Sequence, residues 1–483
     1  CHQSNGLPNI VIVGIANRAV DEAKERIRSS FASTKLNLPR KRITINLAPA
    51  DVPKDSSSFD LAMAISILAA SEQIPKNSWG DALVIGELGL DGNIRPVRGI
   101  IGKILAGRKL GYNKFVIPEG NLEQAKLVPE ITIVPVGNLR DIYVALSGVG
   151  KFNEVRTNEG SLPQLATRTY TTDIQEVVGQ VRAKRALEIA AAGGHNILLT
   201  GAPGTGKSML AKCLPTILPD LNREEILEIT HLHSLADKNY DRIITARPFR
   251  APHHTASDIS IIGGGQKPKP GEISLSHHGV LFFDEFPEFN RSAVEALRQP
   301  LEDHIITVSR AQGSLIFPAK FILVATSNPC PCGYYGTSKE CTCTANEINR
   351  YQKKLSGPIL DRIDLYVSVD EIKHDEVLKE DADGENSMDV RNRVVKARQL
   401  QIKRYGSKIK QNSNLSNKDV KNLANLKPDA KELLDKAAEQ LGISARAYMK
   451  ITKVARTIAD LDNSPTIEIH HLTEALQYRK QEA

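Results

Sequence analysis

The eight residues 201–208, GAPGTGKS, have the types and spacing needed to hold a polyphosphate. Gly201, Gly204 and Gly206 let backbone N–H groups turn inward around an anion, with Pro203 and Thr205 shaping the turn between them. Lys207 adds a positive charge for the outer phosphates, and Ser208 offers a hydroxyl to Mg²⁺. The apolar run before the loop reads as a strand, and the residues after it as a helix whose positive end faces the anion. A chance glycine-rich turn would lack both flanks. The chemistry implied is binding of a nucleotide such as ATP with Mg²⁺.

Further along, GVLFFDEFPEF (279–289) is an apolar run ending in two carboxylates. Alone, that is most simply a strand capped by a solvated acidic pair. Downstream of a complete phosphate loop, Asp284 is a candidate for holding Mg²⁺, and Glu285 for polarising a water as general base. FILVATSNP (321–329) is a second buried strand, with Asn328 at its tip to orient that water or touch the terminal phosphate. LSGPILDRIDLYV (355–367) sets Arg362 between two aspartates. Such an arginine is either a surface ion-pair residue or a finger entering a neighbouring subunit's site. In GISARAYMKI, Arg446 stands near a helix start, from which it would reach the same phosphates.

Three zones must position these groups. Residues 1–147 alternate strand-like runs (9–15, 42–49, 82–88) with helix-like ones (19–31, 61–70, 100–110), which argues for an α/β domain. Residues 148–172 lose apolar periodicity to Gly, Ser, Thr, Asn and Pro, and read as a linker. Residues 173–371 carry the phosphate-binding motifs. Residues 372–483 show apolar positions at helical spacing in three stretches and read as a small helical domain.

The composition excludes several classes. No apolar run reaches the length of a membrane-spanning helix, so no membrane role is expected. The net charge of +7 permits nucleic-acid binding without demonstrating it, and no alternation of basic and aromatic residues suggests a single-strand stacking platform. The six cysteines form no framework of pairs across the chain, which fits a reducing cytoplasm, and no signal peptide is visible. The chain opens on Cys1 rather than Met, so its true start is expected upstream. Four cysteines fall together: Cys330, Cys332, Cys341 and Cys343 make two Cys-x-Cys pairs. Four thiolates that close suit a structural Zn²⁺, although the usual knuckle has two intervening residues; free or redox-paired thiols are the alternative.

The phosphate loop, the Asp-Glu strand tip, the Asn strand tip, the LDR arginine and the late helical arginine together form an AAA+ set in order. More narrowly, RPFRAPHHTASDISIIGGGQKPKPGEISLSHHGVLFFDEFPEF (247–289) resembles the ComM family, also called YifB, of magnesium-chelatase-like AAA+ ATPases. GLPNIVIVGIANRAVDEAKERIRSS near the front resembles that family's N-terminal domain, so the likeness covers nearly the whole chain. It implies an α/β P-loop core with a C-terminal helical lid, preceded by an α+β domain like the proteolytic domain of Lon. It also implies a homo-oligomeric, hexameric ring. Lys207, Ser208, Asp284, Glu285 and Asn328 would come from one subunit, Arg362 from its neighbour and Arg446 from the lid. By the same resemblance the ring would act on DNA, moving branched recombination intermediates in natural transformation. Hairpins facing the pore are implied near Lys267 and Lys269, and in DHIITVSRAQGSLIFP (303–318) with Arg310, where cations would meet phosphates without reading bases. Solvated lysine-bearing loops are the plainer alternative.

Two rival functions follow from the same sequence. One is a chelatase-like motor that remodels a protein partner. The other is an ATP-dependent protease, because Ser58 and Lys103 fall where Lon has its serine and lysine. Yet Ser56-Ser57 replaces the Gly-Pro before the Lon serine, and Phe59-Asp60 the small residues after it, which argues against the oxyanion geometry. The paired histidines His253, His254, His277 and His278 could be ligands or substrate contacts, but packing or supporting roles near the nucleotide are the expectation.

Overall fold

A computed structural model describes the chain except for residues 15–17, 50–53, 55–56, 77–79, 159–171, 237–240, 266–267, 311–312, 355–358, 372–383, 408–409 and 481–483. The described residues fold as two compact units. One comprises Cys1–Ala166 with Asn222–Thr245, the other Thr167–Leu221 with Ala246–Ala483.

In the first unit the strand Asn9–Val13 pairs in parallel with Arg42–Asn46, setting Ile10 opposite Ile43. A parallel pair needs a crossover, and the helix Arg18–Ser33 provides it. Val20, Ala23, Ile27 and Phe31 recur at helical spacing and are buried. The helix Asp60–Ala70 is apolar on nearly every side and is buried accordingly. A second sheet orders the strands Ala82–Val84, Lys114–Pro118, Thr132–Val136 and Val155–Arg156. The helix Arg223–Ala236, although it follows the phosphate loop in sequence, belongs to this unit. Arg223 holds it by donating to the carbonyls of Leu127 (2.9 Å), Lys126 (3.0 Å) and Asn158 (2.9 Å).

The second unit is built on a five-stranded parallel sheet: β1 (Ile197–Thr200), β2 (Phe249–Arg250), β3 (Val280–Phe283), β4 (Ile322–Ser327) and β5 (Leu365–Ser368). Their order across the sheet is β2-β3-β4-β1-β5. β3 and β4 are buried along their whole length, which is why both read as unbroken apolar runs. Helices α1 (Val181–Gly193) and α2 (Lys207–Ile217) pack into the same core, with Ala186, Leu187, Leu210 and Leu214 fully buried. The register sets Phe283 opposite Ala325, and Leu199 opposite both Thr326 and Val367. The C-terminal ends of β3, β4 and β1 therefore lie side by side, the place where parallel sheets bind ligands.

The C-terminal part of this unit is helical and includes α3 (Ser387–Tyr405), α4 (Pro428–Gln440), α5 (Ala445–Leu461) and α6 (Ile469–Gln477). Fully buried Asp460 on α5 accepts from Arg404 (3.0 Å) and Asn412 (2.9 Å) and pairs with fully buried Arg456 (3.0 Å), so no charge there is left alone. α5 is tied to the sheet through His195, whose ring meets Thr457 Oγ1 at 2.8 Å and Asp364 Oδ2 at 3.3 Å. An antiparallel hairpin joins Ile305–Arg310 to Gly313–Pro318, and a shorter one pairs Gly264 with Lys269. Lys267 and the side chain of Arg310 lie outside the described residues. Among the described residues, no helix is long and apolar enough to cross a membrane.

Candidate functional site

The phosphate loop links β1 to α2. Gly204 (φ 81°) and Gly206 (φ 87°) take left-handed backbone, which other residues enter at a cost of about 1–2 kcal/mol. Gly201 is needed for a different reason: a Cβ there would stand 2.3 Å from the carbonyl oxygen of Val369, just beyond β5. Thr205 Oγ1 closes the turn by donating to Ala202 O (3.0 Å). Lys207 is buried at the start of α2. Its ammonium donates to the carbonyls of Gly201 and Ala202 (both 2.7 Å) and to Asn328 Oδ1 (3.2 Å). Burial pushes its pKa below the ordinary lysine value of 10.5, and Asp284 and Glu285 partly offset this. A buried ammonium at a helix N-terminus, held by neutral loop oxygens, fits a polyphosphate ligand.

The acidic tip lies against this loop. Ser208 Oγ donates to Asp284 Oδ2 at 3.0 Å, and Thr326 Oγ1 donates to Asp284 Oδ1 at 2.6 Å. A serine hydroxyl beside a carboxylate fits a Mg²⁺ site. Glu285 has φ 54°, a conformation unusual outside glycine. Its backbone N–H donates to Thr326 Oγ1 at 2.9 Å, so one hydroxyl fixes both acids. The Glu285 side chain is half exposed, with His254 Nδ1 at 3.7 Å from its carboxylate. The rings of His253 and His254 lie 4.2 Å apart, tilted by 33°. The other pair does a different job: His277 Nδ1 accepts from the Lys320 N–H (2.9 Å), and the His278 N–H donates to Lys320 O (2.6 Å), pinning the entry to β3.

The structure thus brings Lys207, Ser208, Asp284, Glu285 and Asn328 into one cluster. Arg362 and Arg446 form another. Both guanidinium groups pair with Glu302, Arg446 at 3.5 Å, and Arg446 also meets Asp361 at 3.6 Å. Thr326 and Glu302 were not singled out in the sequence reading. Thr326 lies inside the buried strand β4, two positions before Asn328, where it reads as an ordinary β-branched strand residue. Glu302 sits in no motif.

Comparison with known proteins decides the family. Residues 173–377 match the family described as magnesium chelatase, subunit ChlI; residues 1–121 match subunit ChlI of Mg-chelatase, and residues 384–479 its C-terminal part. The chain is 42% identical over 479 residues to competence protein ComM of Haemophilus influenzae, covering 99% of this chain and 93% of that protein. It is 40% identical to YifB of Escherichia coli over the same shares. The chain belongs to the ComM/YifB family of magnesium-chelatase-like AAA+ proteins. A stretch of 135 residues is also 29% identical to the archaeal Lon protease of Methanocaldococcus jannaschii, covering 26% of this chain and 20% of that protein.

In this ComM/YifB chain, the groups around Ser58 and Lys103 are fixed by local hydrogen bonds. Ser58 is buried in a short turn and its carbonyl accepts the Gly86 N–H at 3.0 Å. Two residues on, Asp60 is buried and takes hydrogen bonds of 2.6 and 3.1 Å from Arg26. Lys103 Nζ donates to Arg98 O at 3.0 Å. The four clustered cysteines do come together: their sulfurs lie within 4.8 Å of one another, on the loop that leaves β4. That donor set fits a tetrahedral thiolate ion such as Zn²⁺.

Proposed function

We propose that this protein is an ATP-hydrolysing ring motor that acts on branched DNA. The hydroxyl of Thr326 carries the catalytic half of this reading, since it places Asp284 toward Ser208 and Glu285 beside it, next to the buried Lys207. Lys207 and the loop amides bind the phosphates. Ser208 and Asp284 hold Mg²⁺, which supplies charge neutralisation on the phosphate oxygens. Glu285 takes the proton of the attacking water, and Asn328 orients that water. Arg362 reaches the site of the next subunit in a homo-hexamer, and Arg446 acts from the helical lid. A structural Zn²⁺ sits in the cysteine cluster, and the protein works in the cytoplasm.

Three things support DNA as the partner: a relative named for competence, a positive net charge, and the long hairpin Ile305–Arg310/Gly313–Pro318 as a pore element. Backbone contacts of this kind weaken steeply with salt. The test is the ATPase rate with and without a four-way DNA junction at low and moderate salt, with Lys207→Ala as the inactive control. Stimulation by the junction that salt removes is the expected result. Hydrolysis indifferent to every DNA form would point instead to a protein substrate. No hydrolysis by the wild-type chain under any condition would overturn the whole reading.

A further inference from the structure

The loop that leaves β4 carries a second chemistry beside the nucleotide pocket. Cys330 follows Asn328 by two residues and is fully buried. Its sulfur lies 3.3 Å from that of Cys332 and 3.7 Å from that of Cys341, and Cys332 lies 3.5 Å from Cys341. Thiolate bonds of about 2.3 Å to a tetrahedral Zn²⁺ place the sulfurs roughly 3.8 Å apart. A disulfide would hold two of them at about 2.05 Å, and all four cysteines are free. Backbone N–H groups already face the sulfurs: Cys332 N–H donates to Cys343 Sγ and Tyr335 N–H to Cys330 Sγ, both at 3.3 Å. Such second contacts orient metal-bound thiolates.

The same loop touches the machinery at two points. Gly333 (φ 88°) packs so closely on Pro203 of the phosphate loop that a Cβ there would stand 2.6 Å from the proline ring. Five residues before Gly333 the loop begins at Asn328, which binds Lys207. Residues 331–343 contain no helix or strand of their own, so few backbone contacts hold them in that position. An ion gripping four points along the loop would hold it instead.

We propose that Cys330, Cys332, Cys341 and Cys343 bind one Zn²⁺, and that the ion sets the turnover rate by fixing this loop against Pro203 and Asn328. The turnover half rests on the ATPase reading above; the metal half rests on the sulfur geometry alone.

The test measures zinc per chain and ATP turnover together on the full chain. Wild-type protein should carry one zinc per chain, and Cys341→Ser/Cys343→Ser should carry none. That variant should lose about tenfold in kcat. Cys343→His, which keeps a zinc ligand, should restore both metal and kcat. Should the double serine variant fail to fold, the wild-type protein stripped with a chelator and refilled with Co²⁺ gives the same answer. Four-sulfur ligation should then appear in its absorption spectrum, with turnover rising in step. Wild-type protein without zinc, with its cysteines titrating as free thiols or paired as disulfides, would overturn the proposal. So would a metal-free variant that turns over ATP at the wild-type rate. Zinc in a wild-type chain that hydrolyses no ATP would sink the turnover half and the ATPase reading, while the metal site stands.

Discussion

Thr326 Oγ1 donates to Asp284 Oδ1 at 2.6 Å while accepting the backbone N–H of Glu285 at 2.9 Å. One hydroxyl on β4 thereby sets the position of two consecutive acids at the end of β3. Thr326→Val keeps the shape and removes both bonds. A hydrogen bond to a charged group is worth about 1.5–3 kcal/mol, so kcat should fall roughly 10- to 100-fold. KM for ATP should change little, because the phosphate loop is untouched. Thr326→Ser should recover most of the loss. A valine variant at full rate would show that the hydroxyl has no part in the chemistry.

Glu285 has the exposure and the strained backbone of a residue held for use. If it takes the proton from water, Glu285→Gln should bind ATP as tightly as wild type and lose about 10²–10⁴ in kcat. Nucleotide affinity by fluorescence and single-turnover hydrolysis separate the two effects. Normal hydrolysis by the glutamine variant would remove Glu285 from the role of base.

Lys207 gives the site a pH signature. Burial lowers its pKa from the usual 10.5 in the empty protein, and bound phosphates would raise it again. Binding should therefore take up a proton at alkaline pH, and affinity for ATP should weaken as pH rises through the empty-site pKa. Without ligand the sign is opposite. The unfolded chain holds this proton more tightly than the folded one, so the cost of burying the ammonium is full below the lowered value and shrinks as pH rises from there to 10.5. Calorimetry in buffers of different ionisation enthalpy would detect the proton. Binding with no proton uptake anywhere in that alkaline range would contradict the assignment.

How much of this was readable in the sequence depends on how local each feature is. The phosphate loop is eight consecutive residues between a strand and a helix, and its chemistry follows from their order. Asp284, Glu285 and Asn328 were legible because apolar runs end at them, and parallel strands end on one edge of a sheet. Thr326 was hidden inside such a run, where its hydroxyl looked like an ordinary β-branched strand residue. Glu302 was hidden because its meaning comes only from Arg362 and Arg446, which lie 60 and 144 residues away. The contact of Gly333 with Pro203 joins two loops that no periodicity connects. The segment Asn222–Thr245 likewise joins the first unit through Arg223 and its three carbonyl partners, contacts that no local pattern announces.

The pairing of Arg362 and Arg446 with Glu302 supports a test of whether the site is shared between subunits. A finger acting on a neighbour's phosphates is worth about 10³–10⁵ in kcat, so Arg362→Ala should be nearly inactive while still binding ATP. Lys207→Ala should be inactive for the opposite reason, lacking a working pocket but keeping its arginine. Mixed together, the two form some interfaces where an intact pocket faces an intact Arg362. ATPase activity should then reappear and rise to a maximum at intermediate mixing ratios. If the mixture forms joint oligomers yet stays inactive at every ratio, Arg362 acts within its own subunit. Its pairing with Glu302 is then a resting contact of the same chain, and the shared-site reading fails.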